Sequence, residues 1–229
     1  MQAVVIATYN EAENIPALLR QIREAAPDVV AIVVDDDSPD GTARIAGELG
    51  LPGVEVIVRK SDRGYGPAVR DGLLHALQLG AERAATMDAD FSHDPKVLPA
   101  LLRELDGCDV AVGSRYVGGV RVINWNVKRL LLSIFANFYV RTILGLDTQD
   151  CTSGFRAYRA EMLRRMKLRT VRSNGYAFLV ETLWRAARRG ATIKEHPIVF
   201  EERQEGESKM NRGIIWESIW TPWRLRLRG

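Results

Sequence analysis

The chain has no glycine at its first strand-to-helix turn, where a dinucleotide-binding protein requires one. That turn reads Thr8-Tyr9-Asn10-Glu11. Without glycine the backbone cannot approach a pyrophosphate there, which argues against a Rossmann dehydrogenase. A Walker loop is absent as well. Cysteine is scarce: Cys108 and Cys151 stand at no metal-like or redox-like spacing. Both are expected as buried apolar residues, not as a disulfide. No apolar run reaches bilayer-spanning length. The opening MQAVVIATYN enters a strand-like segment directly, with no signal-peptide pattern. Repeats and low-complexity tracts are missing. So are helix-turn-helix, zinc-finger and RNA-stacking signatures, and no nucleic-acid partner is expected.

What is present is a chain of 229 residues with 46% hydrophobic content, enough for one large packed domain. Strand-like runs at Ala3–Tyr9, Val29–Val34, Val54–Val58, Ala84–Met87 and Asp109–Gly113 alternate with helical segments. Asn10 and Glu13 resemble a capping box opening a helix to about Ala26. Ser38-Pro39-Asp40-Gly41 is turn chemistry before a helix to about Leu49. Gly64-Tyr65-Gly66-Pro67 precedes a helix to about Leu79, and a further helix is expected over 95–106. This alternation predicts an α/β fold with a mostly parallel central sheet. Ligands of such sheets bind beyond the carboxyl ends of the strands. Three of those ends carry TYNE, DDDSPD and DAD.

Asp88 and Asp90 point to the same side of an extended chain. Two carboxylates at a strand end can hold a hard divalent cation, Mg²⁺ or Mn²⁺, whose shell is completed by water and substrate phosphates. A solvated surface pair is the plain alternative. Asp94-Pro95 reads as the cap and first turn of the next helix.

Net charge is only +3, but arginine crowds three places: Arg156–Arg172, Arg185–Arg189 and Arg224–Arg228. A solvated basic surface and an anionic membrane surface are both open readings. Trp125–Leu146 is mostly apolar, with one narrow polar stripe at Arg129, Ser133, Asn137 and Arg141. It fits either a core helix or one lying at a headgroup layer, led by Lys128 and Arg129. In the C-terminal part Trp216, Ile219, Trp220 and Trp223 can share a face. Pro222 is expected to end or bend that helix, and arginines alternate after it. The same face suits a membrane interface or docking on the core. Arg203 and Lys209 lie in a polar loop suited to a phosphate or simply solvated.

TYNEAENI, VVDDDSPDGT, RGYGPAVRDG, MDADFSHDP, GSRYVGG, the NW…KR pair, DCTSGFRAYR and Arg-x-x-Gly-x-Ser-Lys follow in order over roughly the first 210 residues. With them the chain resembles the dolichyl- or polyprenyl-phosphate mannose synthases, family 2 glycosyltransferases of the GT-A fold. The resemblance implies one GT-A (Rossmann-like) domain over 1–210, with a membrane-interface helix at 125–146, and an amphipathic tail over 211–229. It implies inverting, metal-dependent transfer of mannose from GDP-mannose to a polyprenyl monophosphate. Ala7, Tyr9, Asn10, Glu11, Val34, Asp36, Asp88, Ala89, Asp90 and Arg115 would line the GDP-mannose site, with Asp36 toward the base. Asp88 and Asp90 would hold Mg²⁺ or Mn²⁺. Arg129, Ser153, Arg203 and Lys209 would meet the acceptor phosphate. Asp88, Asp90, Arg115 and Arg203 would carry catalysis, while Ser153 and Arg156 shape the sugar pocket near Asp150. Ala7 replaces a usual proline, Asp37 a frequent glycine and Ser92 a glutamine of some members. Many relatives continue into transmembrane helices. The resemblance therefore implies a compact form on the cytoplasmic face of a membrane, attached peripherally or by a small membrane-anchoring protein. A UDP-glucose donor and a non-catalytic scaffold remain the alternatives.

Overall fold

The structure, a computed structural model, describes residues 1–201 and 212–228. Strand β1 (Gln2–Thr8) leads to helix α1 (Ile15–Ala25), then β2 (Val29–Asp35), α2 (Thr42–Glu48), β3 (Val54–Val58), α3 (Tyr65–Gln78) and β4 (Arg83–Asp88). There follow α4 (Leu98–Glu104), β5 (Val110–Ser114), β6 (Val122–Ile123), α5 (Val127–Leu144), β7 (Arg156–Arg159), α6 (Ala160–Arg165), α7 (Gly175–Arg188), β8 (Ile193–Pro197), β9 (Phe200–Glu201) and α8 (Arg212–Arg228).

The main sheet runs β3-β2-β1-β4-β7-β5-β8, and a small second sheet pairs β6 with β9. Pairing is parallel throughout the main sheet except at β7, which runs antiparallel to both β4 and β5. That strand lies in DCTSGFRAYR and escaped the sequence reading because it is short and rich in arginine. The mostly parallel α/β arrangement is as expected.

Both sheet faces are covered. α1 turns Ile15, Leu18, Leu19 and Ile22 inward at helical spacing, and with α4 it closes one face. α3 and α7 cover the other. Each fully buried Leu or Ile here contributes roughly 1.5–3 kcal/mol relative to exposure. Cys108 and Cys151 are buried and unpaired, as expected, and burial pushes the Cys151 thiol up to about 12.

Several expectations are corrected. α1 begins at Ile15, not after Asn10, which sits at φ 59° in the left-handed region. A residue there cannot start a right-handed helix, so the capping box does not form. The helix expected over 95–106 is a 3₁₀ turn at Pro95–Val97 followed by α4. Asp94 caps that turn as anticipated, accepting from Lys96 N at 2.9 Å. Of the two outcomes expected at Pro222, an end to the helix is excluded: α8 runs through it to Arg228. Asp37 sits at φ 57°, in the left-handed region that favours glycine.

Candidate active site

Strand register brings three acidic loops to one edge. Ala7 pairs with Val34 on one side and Asp88 on the other. Much of the DDDSPDGT segment builds this edge. Asp35 is fully buried and accepts from Thr8 Oγ1 at 2.8 Å and from Ser38 N and Oγ. Asp40 accepts from Ala12 N, Thr42 N and Thr42 Oγ1. Burial alone would raise its carboxyl, but these bonds hold it below the ordinary value. Ser38 Oγ and Thr42 Oγ1 accept from the backbone N–H of Asn10 and Glu11, so the TYNE loop is tied to the second loop at both residues. Tyr9 and Asn10 are exposed at this edge, while Glu11 is buried. Asp36 is also buried, and both of its oxygens are engaged: Oδ1 by Arg59 Nη1 at 2.5 Å, Oδ2 by Gly64 N at 2.6 Å.

Asp88 ends β4. Its Oδ1 is buried and accepts no hydrogen bond among the described residues. Burial raises its carboxyl, and the charge of Asp90 adds to the effect. The Tyr65 hydroxyl and Gly154 stand against it. A Cβ on Gly154 would come within 2.6 Å of Tyr65 Oη and 3.3 Å of Asp88 Oδ1, so only glycine leaves this space open. Burial raises Tyr65, with the Asp88 charge adding to it. His93 Nδ1 accepts the Asp88 backbone N–H at 3.0 Å. His93 Nδ1 also lies 3.8 Å from Asp88 Oδ2. Two residues on, Asp90 Oδ1 accepts from Ser92 N and from Ser92 Oγ at 2.6 Å. Ser92 thus orients this carboxylate.

The donor set fits a hard divalent cation. A buried carboxylate oxygen without a hydrogen bond is costly, and a cation supplies what it lacks. Among the described residues no third carboxylate, histidine or cysteine completes a protein-only cage. This suits an ion whose remaining positions go to water and diphosphate oxygens.

Arg115 lies across the site, near enough for its charge to lower the Asp88 carboxyl. Its Nε and Nη2 grip Asp150 at 2.7 and 2.6 Å, Nη2 also donates to Thr152 Oγ1, and its backbone N–H donates to Asp150 Oδ2. Asp150 is 0% exposed. Burial would raise its carboxyl, but the Arg115 bonds and charge outweigh this and hold it below the usual carboxylate range. Glu195 accepts from the Asp150 N–H, fixing the loop further.

A family model for glycosyl transferase family 2 matches residues 3–167. The chain belongs to that family. A polyprenol monophosphomannose synthase of Mycolicibacterium smegmatis is 44% identical to this glycosyltransferase over 230 residues, covering 99% of this chain and 87% of that one. An undecaprenyl-phosphate mannosyltransferase of Micrococcus luteus is 42% identical, covering 98% and 94%. Among solved structures, the glucosyl-3-phosphoglycerate synthase of Mycobacterium tuberculosis, in complex with Mn²⁺, UDP and glucosyl-3-phosphoglycerate, superposes with a TM-score of 0.71. It is 18% identical and covers 99% of this chain and 79% of its own, a likeness of fold. The GT-A fold and an enzyme of the glycosyltransferase class follow.

Of the residues singled out from sequence, the glycosyltransferase places Ala7, Val34, Asp88, Ala89 and Asp90 along one edge. Arg129 is exposed at the start of α5, its guanidinium 4.6 Å from the Trp125 ring centroid. Ser153 is buried, its Oγ accepting from Phe155 N at 3.3 Å. Arg156 is corrected: it is fully buried and its guanidinium donates to Leu179 O and Cys151 O, cross-linking the core and not lining a sugar pocket. Arg203 and Lys209 lie outside the described residues. Sequence reasoning missed Tyr65, His93, Trp125 and Phe200. Their motifs were visible, but nothing in their spacing shows that they meet around Asp88 and Arg115.

α5 is inverted relative to an ordinary surface helix. Its polar stripe faces the protein: Ser133 Oγ accepts from Tyr116 Oη, and Asn137, 3% exposed, accepts from Cys151 N. Its outer face carries Val127, Leu131, Leu132, Phe135 and Phe138, the two phenylalanines 62% and 64% exposed. α8 packs beside α5 and α7 and is pinned by Tyr139 Oη donating to Ile219 O. It exposes Ile219, Trp220, Trp223 and Leu227. No described helix is long and apolar enough to cross a membrane.

Proposed function

We propose that this enzyme transfers mannose from GDP-mannose to a polyprenyl monophosphate of the dolichyl type, with inversion, at a membrane surface. The full-length likeness to a polyprenol monophosphomannose synthase carries the reading. It is supported by the unpartnered Asp88 oxygen on one side of the site and two guanidinium groups on the other.

Asp88 and Asp90 would hold Mg²⁺ or Mn²⁺. The ion would neutralise charge on the departing diphosphate. The nucleophile is a phosphate oxygen already anionic near pH 7, so no base is required. Asp150 fits that account: a carboxylate gripped at both oxygens by Arg115 is a poor proton acceptor. It acts instead by holding Arg115 still. Repulsion between two phosphate-bearing substrates is the obstacle, and preorganised positive charge together with alignment overcomes it. The sugar centre passes through an oxocarbenium-like transition state, as at other glycosyl centres.

Turnover by purified enzyme with a short prenyl phosphate, offered GDP-mannose or UDP-glucose, tests the reading. Mannosyl transfer from GDP-mannose is expected. Transfer from UDP-glucose alone overturns the donor assignment, and no transfer from either overturns the catalytic one.

Acceptor recognition separates from donor recognition. Arg129→Ala should raise the lipid KM roughly ten- to a hundredfold, the worth of a charged contact of about 1.5–3 kcal/mol, with GDP affinity by calorimetry unchanged. Lysine should restore only part, lacking the bidentate fork. A loss of GDP affinity with unchanged lipid KM defeats this assignment.

The apolar faces of α5 and α8, flanked by exposed Lys128, Arg224 and Arg226, are proposed to lie in the headgroup layer. Flotation with anionic vesicles should carry the wild type upward, less so at high salt. Trp220→Ser with Trp223→Ser should reduce it. A wild type that never floats leaves attachment to a separate membrane protein.

A further inference from the structure

We infer that Trp125 is a positioning residue whose indole face sets Arg129 beside Arg115 for the acceptor anion, which turns Arg115 to the acceptor phosphate and away from the GDP-mannose site where the resemblance puts it. The inference rests on the reading of an anionic lipid phosphate as acceptor. The Arg115 and Arg129 guanidinium carbons lie 5.5 and 4.6 Å from the centroid of this one ring. Arg115 comes from the end of β5, where Asp150 and Thr152 hold its guanidinium, and Arg129 from the start of α5; the shared ring sets the second against the first. Two like charges repel, and an indole, the strongest cation-binding ring among side chains, offsets that repulsion. Asp150 neutralises Arg115 from another side.

The ring is itself braced. Phe200 meets Trp125 edge-on at 5.5 Å and stands 5.4 Å from the Arg115 guanidinium. Phe200 also meets His93, at 5.9 Å, which accepts the Asp88 N–H. β9, which carries Phe200, is held by β6 immediately before Trp125, with Phe200 N donating to Arg121 O at 3.0 Å. An aromatic column therefore runs from the carboxylate edge to the two arginines.

One observation separates function from stability here. The Trp125 Nε1–H is buried and has no acceptor among the described residues. A buried donor without a partner destabilises the fold. Phenylalanine would fill most of the same space without that cost, so packing alone does not account for tryptophan. Its stronger face for cations does.

The test compares wild type, Trp125→Phe and Trp125→Leu by thermal melting, steady-state kinetics with a short prenyl phosphate, and calorimetric binding of that lipid and of GDP. Trp125→Phe should melt no lower than wild type, with a lipid KM raised a few-fold. Trp125→Leu should raise lipid KM at least tenfold, weaken lipid binding alike and leave GDP affinity unchanged. Equal loss in both variants, or a Trp125→Leu KM at the wild-type value, overturns the inference. So does a fall in GDP affinity matching the fall in lipid affinity, which marks a merely structural role. Wild-type turnover fails first if the acceptor itself is misassigned, and the calorimetric comparison still reads Trp125 without turnover.

Discussion

Asp90→Asn is expected to lower turnover at least about a hundredfold, the scale of losing one strong electrostatic contact to developing charge. Asparagine keeps the shape and leaves an oxygen for Ser92 N and Oγ, so the loop should stay in place. What disappears is one negative charge from a hard-cation ligand. Asp88→Asn should be similar or milder. Its buried Oδ1, unsatisfied without a cation, would become a neutral group in a site that already disfavours charge. Steady-state rates with and without EDTA, alongside a thermal melt, provide the check. Near-normal turnover of Asp90→Asn, or full wild-type activity in EDTA, removes the metal from the mechanism.

Arg115→Met should destabilise the protein by about 3–5 kcal/mol, because it strands a buried carboxylate. For a chain of this size that corresponds to a melting temperature lower by roughly 6–20 °C. Arg115 and Asp150 are both nearly or fully buried, so solvent screening does not dilute the effect. Adding Asp150→Leu should recover part of the loss. It cannot recover all, since the Arg115 backbone N–H also loses its acceptor. The pH dependence has a definite sign. The folded Asp150 carboxyl is held below its ordinary value. Its stabilising contribution is therefore complete above about pH 4, the ordinary aspartate range, and is lost as pH falls through the folded value. The gap between wild type and Arg115→Met should narrow as pH drops below that point. A gap that is constant with pH, or a variant as stable as wild type at pH 7, contradicts the role of the pair.

The acidic loops illustrate how much of the site is legible without coordinates. TYNE, DDDSPD and DAD follow buried strand patterns, and parallel topology forces successive strand ends to one edge. Within DDDSPD, however, sequence cannot divide the labour. Asp35 and Asp40 are absorbed in holding loops together, and Asp36 is bound by Arg59 and Gly64. The Asn10–Glu13 pattern misled because capping boxes are local signals, whereas Asn10 is held in place by Ser38 from another loop. Arg156 misled for a related reason. An arginine in a polar motif reads as a ligand contact, but backbone carbonyls of Cys151 and Leu179 claim it in the core.

The sequence by itself determined the α/β order, the mostly parallel sheet, the acidic edge and the family, because hydrophobic period and motif order are properties of the chain. Tertiary structure alone decided three things. It left Asp88 Oδ1 without a partner, it tied Arg115 to Asp150, and it chose which side of α5 meets the core. Periodicity shows that Ser133 and Asn137 share a stripe. It cannot show that Tyr116 and Cys151 wait opposite them, turning the polar stripe inward and the apolar face outward. Such choices depend on partners distant along the chain, whose positions exist only once the sheet has formed.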